Sequence, residues 1–370
     1  MTSTTGPAGA GSYGSAARRP VGSSARGRVP SEFAELSGQV RALGLLGRRR
    51  RAYGVRSGVL AVAGGATAAS IVLIGPSWWQ LVPAVVAGVI VAQLGFLAHD
   101  AAHRQVFASW WANEWGARLL STLGIGLSYG WWTSKHNRHH RSPNQAGRDP
   151  DVAPGGLAFT PQAVKARPAG LRLVTRNQGY LFFPMLLLEG VNLHVAGLRT
   201  LAGRRDLPYR RLEACLIIVR FAGYGTALTL VMSPVRAAVF LVVQLAVFGL
   251  FLGAAFAPNH KGMPMLPEDA RVDFMRRQVL MSRNIRGGWL IDAAMGGLNY
   301  QIEHHLFPSM PRDNLRLAQP VIRDFCRAHD IAYTETSLTA SYRIVIRYLN
   351  DVGLGARDPF DCPFLATYRT

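Results

Sequence analysis

Long apolar runs, and the polar stretches between them, set the plan of this chain. Residues 58–74 and 81–98 are two such runs, joined by Gly75-Pro76-Ser77-Trp78-Trp79. Residues 212–232 and 237–256 are two more, joined by Ser233-Pro234-Val235-Arg236. Each approaches the roughly 20 residues that a helix needs to cross a hydrocarbon core of about 30 Å. Links this short make each pair antiparallel, so the pattern predicts two helical hairpins. Trp78 and Trp79 suit the headgroup zone at the first turn. The chain then returns to its starting side at residue 99 and again near residue 257. The expected fold is all-α: an integral membrane protein with four transmembrane helices in two hairpins. A helical cap made of segments 99–211 and 257–370 lies on the starting side.

The remaining stretches read less clearly. Residues 1–30 are rich in Gly, Ser, Ala and Arg and carry almost no large apolar side chains, too little to offset the entropy of ordering them. They also lack the apolar core of a secretory signal. A weak helical pattern (Phe33, Leu36, Val40, Leu43) runs from Ser31 to Gly47, ahead of Arg48-Arg49-Arg50-Arg51. The expected division is a disordered tail over 1–45 and one membrane domain over 46–370. Residues 104–130, with Trp110, Trp111 and Trp115, read as an interfacial or half-inserted helical region. Residues 180–198 contain Pro184, Glu189, Asn192 and His194. Unpaired charge is costly at a bilayer centre, so this stretch is assigned to the interface and His194 to a structural role.

Composition narrows the picture. Of 370 residues 49% are hydrophobic, and the formal net charge is +20. Nucleic-acid binding would explain the charge but not the runs, so no nucleic-acid partner is expected. Arg18, Arg19, Arg26, Arg28, Arg41, Arg48 to Arg51 and Arg56 precede the first run, whereas the far-side links offer only Arg236. The bias of basic residues toward the cytoplasmic side then places both termini and the cap in the cytoplasm, beneath the cell membrane. Cys215, Cys326 and Cys362 form no CxxC pair. They suit a reducing compartment and read as inert thiols.

The candidate chemistry lies in the histidines. The chain has ten, and most fall into three clusters: His99 and His103; His136, His139 and His140; and His304 with His305, preceded by Gln301. Spacings of three and four place side chains on one helix face. His260 follows the fourth run. These eight imidazoles all sit just past span ends on one side, more than one ion can use. Imidazole suits Fe, Zn, Cu or Ni, so a metal pair is expected. Helical bundles present di-metal ligands at similar spacing, though mainly as carboxylates. A bis-histidine haem would use single histidines within opposing spans, and a metal transporter would carry its ligands at mid-membrane. A ligating imidazole donates its outer N–H to a carboxylate or carbonyl. Asp100, Asn137, Asn259 and Glu303 adjoin candidate ligands. Asp149 and Asp151 either do the same from the loop 141–175 or form a Pro-centred turn.

These residues resemble the integral-membrane fatty acid desaturases. His99-x-x-x-His103, His136-x-x-His139-His140 and Gln301-x-x-His304-His305 look like that family's three histidine boxes. Similar words surround them: Trp132-x-x-Lys-His-Asn-x-His-His, Asn144 with Asp149-Pro-Asp151, and Gly297-Leu-Asn-x-Gln-Ile-Glu-His-His-Leu-Phe-Pro308. The likeness extends over about residues 50–335. It implies a non-haem centre of two iron ions that uses O₂ to remove two hydrogens from an acyl chain. One iron would take His99, His103, His136 and His304, and the other His139, His140, His260 and His305. Gln301 stands where other branches carry a histidine, so it would ligate directly or through water. The implied partners are an acyl-CoA or membrane-lipid substrate, bilayer lipids and a separate electron donor, either a ferredoxin or a flavin-dependent reductase. A separate donor is expected because residues 1–50 lack the His-Pro-Gly-Gly of a fused cytochrome b5, and no GxGxxG follows a strand. Two alternatives stand beside this reading: a hydroxylase or ketolase built on the same boxes, and a membrane metal-binding protein without redox chemistry.

Overall fold

Four helices, Arg50–Ile74, Trp78–Ala102, Arg210–Val231 and Pro234–His260, are long and apolar enough to cross a membrane. They belong to a computed structural model that describes residues 31–356 and 358–360. The tail over 1–30 and Cys362 lie outside the described residues. Each helix outlasts its apolar run on the cap side, because polar side chains can continue a helix once it has left the hydrocarbon. This extension matters for function. It places His99 on the last turn of the second spanning helix and His260 at the end of the fourth.

The second and fourth spanning helices form the inner pair. Half of the apolar window of the second is buried, against 6% for the first and 11% for the third, so those two present most of their surface outward. The inner contact depends on Gly88. A Cβ there would lie 2.7 Å from Val247 Cβ and 2.8 Å from the Gln244 carbonyl oxygen, so only glycine lets the backbones approach this closely. The Glu189–Gly203 helix docks on the fourth spanning helix in the same way: a Cβ on Gly190 would lie 2.2 Å from the Leu245 carbonyl oxygen.

The third apolar run contains Glu213, which is fully buried. Its carboxylate accepts from Arg118, from the Ser128 hydroxyl at 2.7 Å and from the Gly130 backbone N–H at 3.2 Å. Arg118 also donates to Glu114 at 2.8 Å, and its guanidinium sits over the rings of Trp115, Tyr129 and Tyr209. Ser128 caps the Tyr129–Arg141 helix, which bears the second histidine cluster. Glu213 therefore fixes where that helix begins. Removing one member of a buried ion pair typically costs about 3–5 kcal/mol. Both Glu213→Ala and Glu213→Gln remove that charge, and Glu213→Ala is expected to lower the thermal midpoint in detergent more, because Gln keeps one oxygen to accept from Ser128 or Gly130. Equal midpoints for the two variants would overturn this account.

Among the described residues, the regular structure of the cap is helical apart from two short parallel strands, Asn284–Arg286 and Glu335–Ser337. Its core joins Met281, Ile302, Leu315 and Ile322 to Leu36 and Val40 of the Glu32–Ala42 helix. The tail expected over 1–45 is thus too long. Ser31 caps a helix whose apolar face is buried, and Arg276 pairs with Glu32. Another long helix, Leu338–Gly353, packs against the fourth spanning helix and buries Val345 and Leu349.

Candidate metal centre

The eight histidines converge where the inner hairpin meets the cap. His99 and His103 come from the end of the second spanning helix, and His136, His139 and His140 from the Tyr129–Arg141 helix. His260 ends the fourth spanning helix, and His304 and His305 lie on the Gln301–Leu306 helix. Two groups result. Ligand atoms of His99, His103, His136, His140 and His304 lie within 4.8 Å of one another, as do those of His139, His260 and His305. The groups adjoin, with the rings of His140 and His305 stacked at 4.3 Å. His140 joins the five-member group, whereas the ligand division implied by the family assigns it to the other iron.

The spacings suit ligands around ions. Nε2–Nε2 separations are 2.9 Å for His103–His136, 3.0 Å for His136–His140, 3.2 Å for His140–His304 and 3.3 Å for His139–His260. One Nε2 offers a single in-plane direction, yet His136 and His140 each face two neighbours. Nitrogens about 2.1 Å from one ion, at 90–110° to each other, stand about 3.0–3.4 Å apart. The Nε2 atoms of His99 and His305 are buried without a hydrogen-bond partner, a costly state unless a cation completes them. This donor set fits a pair of metal ions.

Four of the outer nitrogens, on His99, His139, His260 and His305, face a carboxylate, carbonyl or amide oxygen, which leaves the opposite Nε2 free to ligate. His139 Nδ1 lies 3.0 Å from Asp149 and 3.4 Å from Asp151. His260 Nδ1 donates to the Met281 carbonyl at 3.0 Å, and His305 Nδ1 to Gln278 Oε1 at 2.9 Å. His99 Nδ1 is 3.5 Å from Asp100, which is itself gripped by Arg312. Asp149 is held in turn by the Asn144 backbone N–H at 2.8 Å. Burial pushes His103, His136, His140, His304 and His305 well below the ordinary histidine range, which favours the neutral, ligating form. Burial acts on His139 in the same direction, but Asp149 outweighs it and holds that ring above the ordinary value.

Three expected outer partners are placed elsewhere. Asn137 is exposed on the outer side of its helix. Asn259 donates to the Ala255 carbonyl at 3.0 Å and to Gln301 at 3.4 Å rather than meeting an imidazole. Glu303 faces Asn284 and Tyr333, and burial raises its carboxyl to about 7. In each case the neighbour in sequence points away, because adjacent helical residues do not share a face. Gln301 reaches the second group: its Nε2 lies 3.0 Å from His260 Nε2. Sequence reasoning missed Gln278, Met281 and Arg312. It also missed Arg283, whose buried guanidinium donates to the carbonyls of Pro258 and Lys261 at 2.9 Å and closes the helix end that bears His260. None of these carries a local signal. His194 stands apart from both groups, between the carbonyls of Gly190 and Ile125 at 2.6 and 3.2 Å.

A cavity of about 290 Å³ opens onto the histidines between the second and fourth spanning helices. His99, His136, His139 and His260 line one part of it, and Ile125, Leu193, Phe248 and Leu252 line another.

Residues 76–337 match the family described as Fatty acid desaturase, and the chain belongs to that family. It is 31% identical to an acyl-lipid (9-3)-desaturase of Physcomitrium patens, over 79% of this chain and 57% of that protein. It is 30% identical to an acyl-lipid 8-desaturase of Rebecca salina, over 69% of this chain and 59% of that protein. A Delta(6)-fatty-acid desaturase of Caenorhabditis elegans is 28% identical, over 74% and 65%. The chain spans less than two thirds of the length of these relatives. Family and spanning helices together make it a membrane protein.

Proposed function

We propose that the protein introduces a double bond into an acyl chain, using O₂ and external electrons, at two iron ions held by these histidines. The observation that carries this reading is a cavity with an apolar wall of Ile125, Leu193, Phe248 and Leu252 that ends on two adjoining groups of imidazoles. When bound, the iron pair supplies the oxidising power needed to break an unactivated C–H bond. The protein's own part is placement. Phe248, Leu252, Ile125 and Leu193 hold a hydrocarbon chain and exclude water, while the histidines fix where the metals stand. A misplacement of about 1 Å can cost roughly 100-fold. The substrate is an acyl-CoA or a lipid-linked chain, and the acyl-lipid relatives favour the second. A ferredoxin or a flavin-dependent reductase supplies the electrons. The positive-inside bias supports a cytoplasmic cap.

The test is the lipid profile of a host supplied with this chain and a ferredoxin system. New double bonds are expected. New hydroxyl groups would instead indicate a hydroxylase, and an unchanged profile together with bound zinc would indicate a metal-binding protein without redox chemistry. His194→Ala serves as the control: it should keep the product signal, since the residue bonds only to backbone carbonyls.

A further inference from the structure

A second apolar space, about 740 Å³ in volume, lies between the first spanning helix and the cap, on the far side of the second spanning helix from the histidines. Gln93 and Leu97 of that second helix face this crevice, whereas Gly95, Ala98 and His99 line the acyl cavity. The crevice wall includes Val59 and Leu60 of the first spanning helix and Trp289 and Leu290 of the short Trp289–Ala294 helix. Val59 sits nine residues past Arg50, about 13 Å along the axis, so the crevice reaches from the cap into the hydrocarbon layer.

Trp289 is 72% exposed and Leu290 62%, a pair of large apolar side chains displayed by the cap itself. They continue the outward face of Val55 and Val59, which are 67% and 61% exposed. Water does not favour such a patch, whereas tryptophan favours the bilayer interface. Three arginines and two carboxylates, Asp292 and Asp313, stand among the crevice's lining residues. Arg56 is committed to Asp313 and Arg312 to Asp100. Arg316 differs: its side chain is 64% exposed, and its nearest carboxylate, Asp292, stands 4.0 Å away. An exposed guanidinium suits a phosphate group.

We infer that this crevice binds one anionic phospholipid of the surrounding bilayer, with an acyl chain against Val59, Leu60, Leu97 and Trp289 and its phosphate on Arg316. The site shares no lining residue with the histidine groups, so it stands independently of the proposed reaction.

Native mass spectrometry of the purified chain in detergent, with phosphatidylglycerol or phosphatidylcholine added, tests this. One phosphatidylglycerol should be retained with at least tenfold preference. Arg316→Ala should abolish the preference, and the double variant Trp289→Ala with Leu290→Ala should lose retention of both lipids. Bound metal should stay unchanged in each variant, because the replaced side chains are exposed. Equal retention of the two lipids by the wild type, or wild-type behaviour in both variants, would mean that only a nonspecific lipid shell is present. A second measurement uses a milder change. Brominated phosphatidylglycerol should quench the emission difference between wild type and Trp289→Phe more strongly than brominated phosphatidylcholine, and equal quenching would refute the site.

Discussion

His304→Ala is expected to yield a protein that folds and inserts but neither holds metal nor forms product. The argument is positional. His304 Nε2 lies 3.2 Å from His140 Nε2, and its ring centre stands 4.7 Å from that of His99 and 4.9 Å from that of His103. It thus faces three other members of the five-member group. Losing a partner that merely orients a ligand costs about 10–100-fold in metal affinity or activity, and losing the ligand itself exceeds that range. Folding should survive, because the Gln301–Leu306 helix stays anchored by its neighbours. Ile302 and Leu306 are in the cap core, and Asn284 accepts the Ile302 backbone N–H at 2.9 Å. Metal analysis of the purified variant, beside its thermal midpoint and the host lipid profile, checks each part. A variant with full metal content and normal product would remove His304 from the ligand set.

Much of this arrangement was legible in the chain because two periodicities carry it. Apolar runs long enough to cross a bilayer gave the hairpins, and spacings of three and four gave clusters able to face one point. What escaped had physical causes. Helix ends were misjudged because hydropathy falls at the membrane surface while backbone hydrogen bonding continues through His99 to Ala102. The Glu32–Ala42 helix looked weak because its stability comes from burying Leu36 and Val40 in a distant part of the cap. The outer partners of the ligands were the least readable. Gln278 meets His305 across 27 positions, and Met281 meets His260 across 21. Proximity in sequence pointed instead to Asn137 and Glu303, which their helices turn away. Glu213 shows the same limit from the other side: a lone acid in an apolar run gives no hint of the arginine and helix start it holds.

Gly95→Phe tests the proposed acyl cavity apart from the proposed metal centre and should reduce product at least tenfold while sparing the metals. Gly95 lines the cavity one turn before His99 on the second spanning helix. A Cβ there meets nothing closer than Leu252 Cδ2 at 3.7 Å and Ile125 Cδ1 at 3.8 Å. The position accepts a side chain without backbone conflict, unlike Gly88 in the same helix. A benzyl group then occupies the space beside Leu252 and Ile125 that a hydrocarbon chain would need. Overpacking of this kind costs about 1–3 kcal/mol, which should lower the thermal midpoint without unfolding the protein. The imidazoles, anchored by Asp149, Met281 and Gln278 from other elements, keep their places. The expected result is therefore wild-type metal content with product reduced at least tenfold, and Gly95→Ala close to wild type. If Gly95→Phe still converts long chains at the normal rate, the hydrocarbon reaches the histidines by another route, and the assignment of this cavity to the acyl chain fails while the metal centre stands.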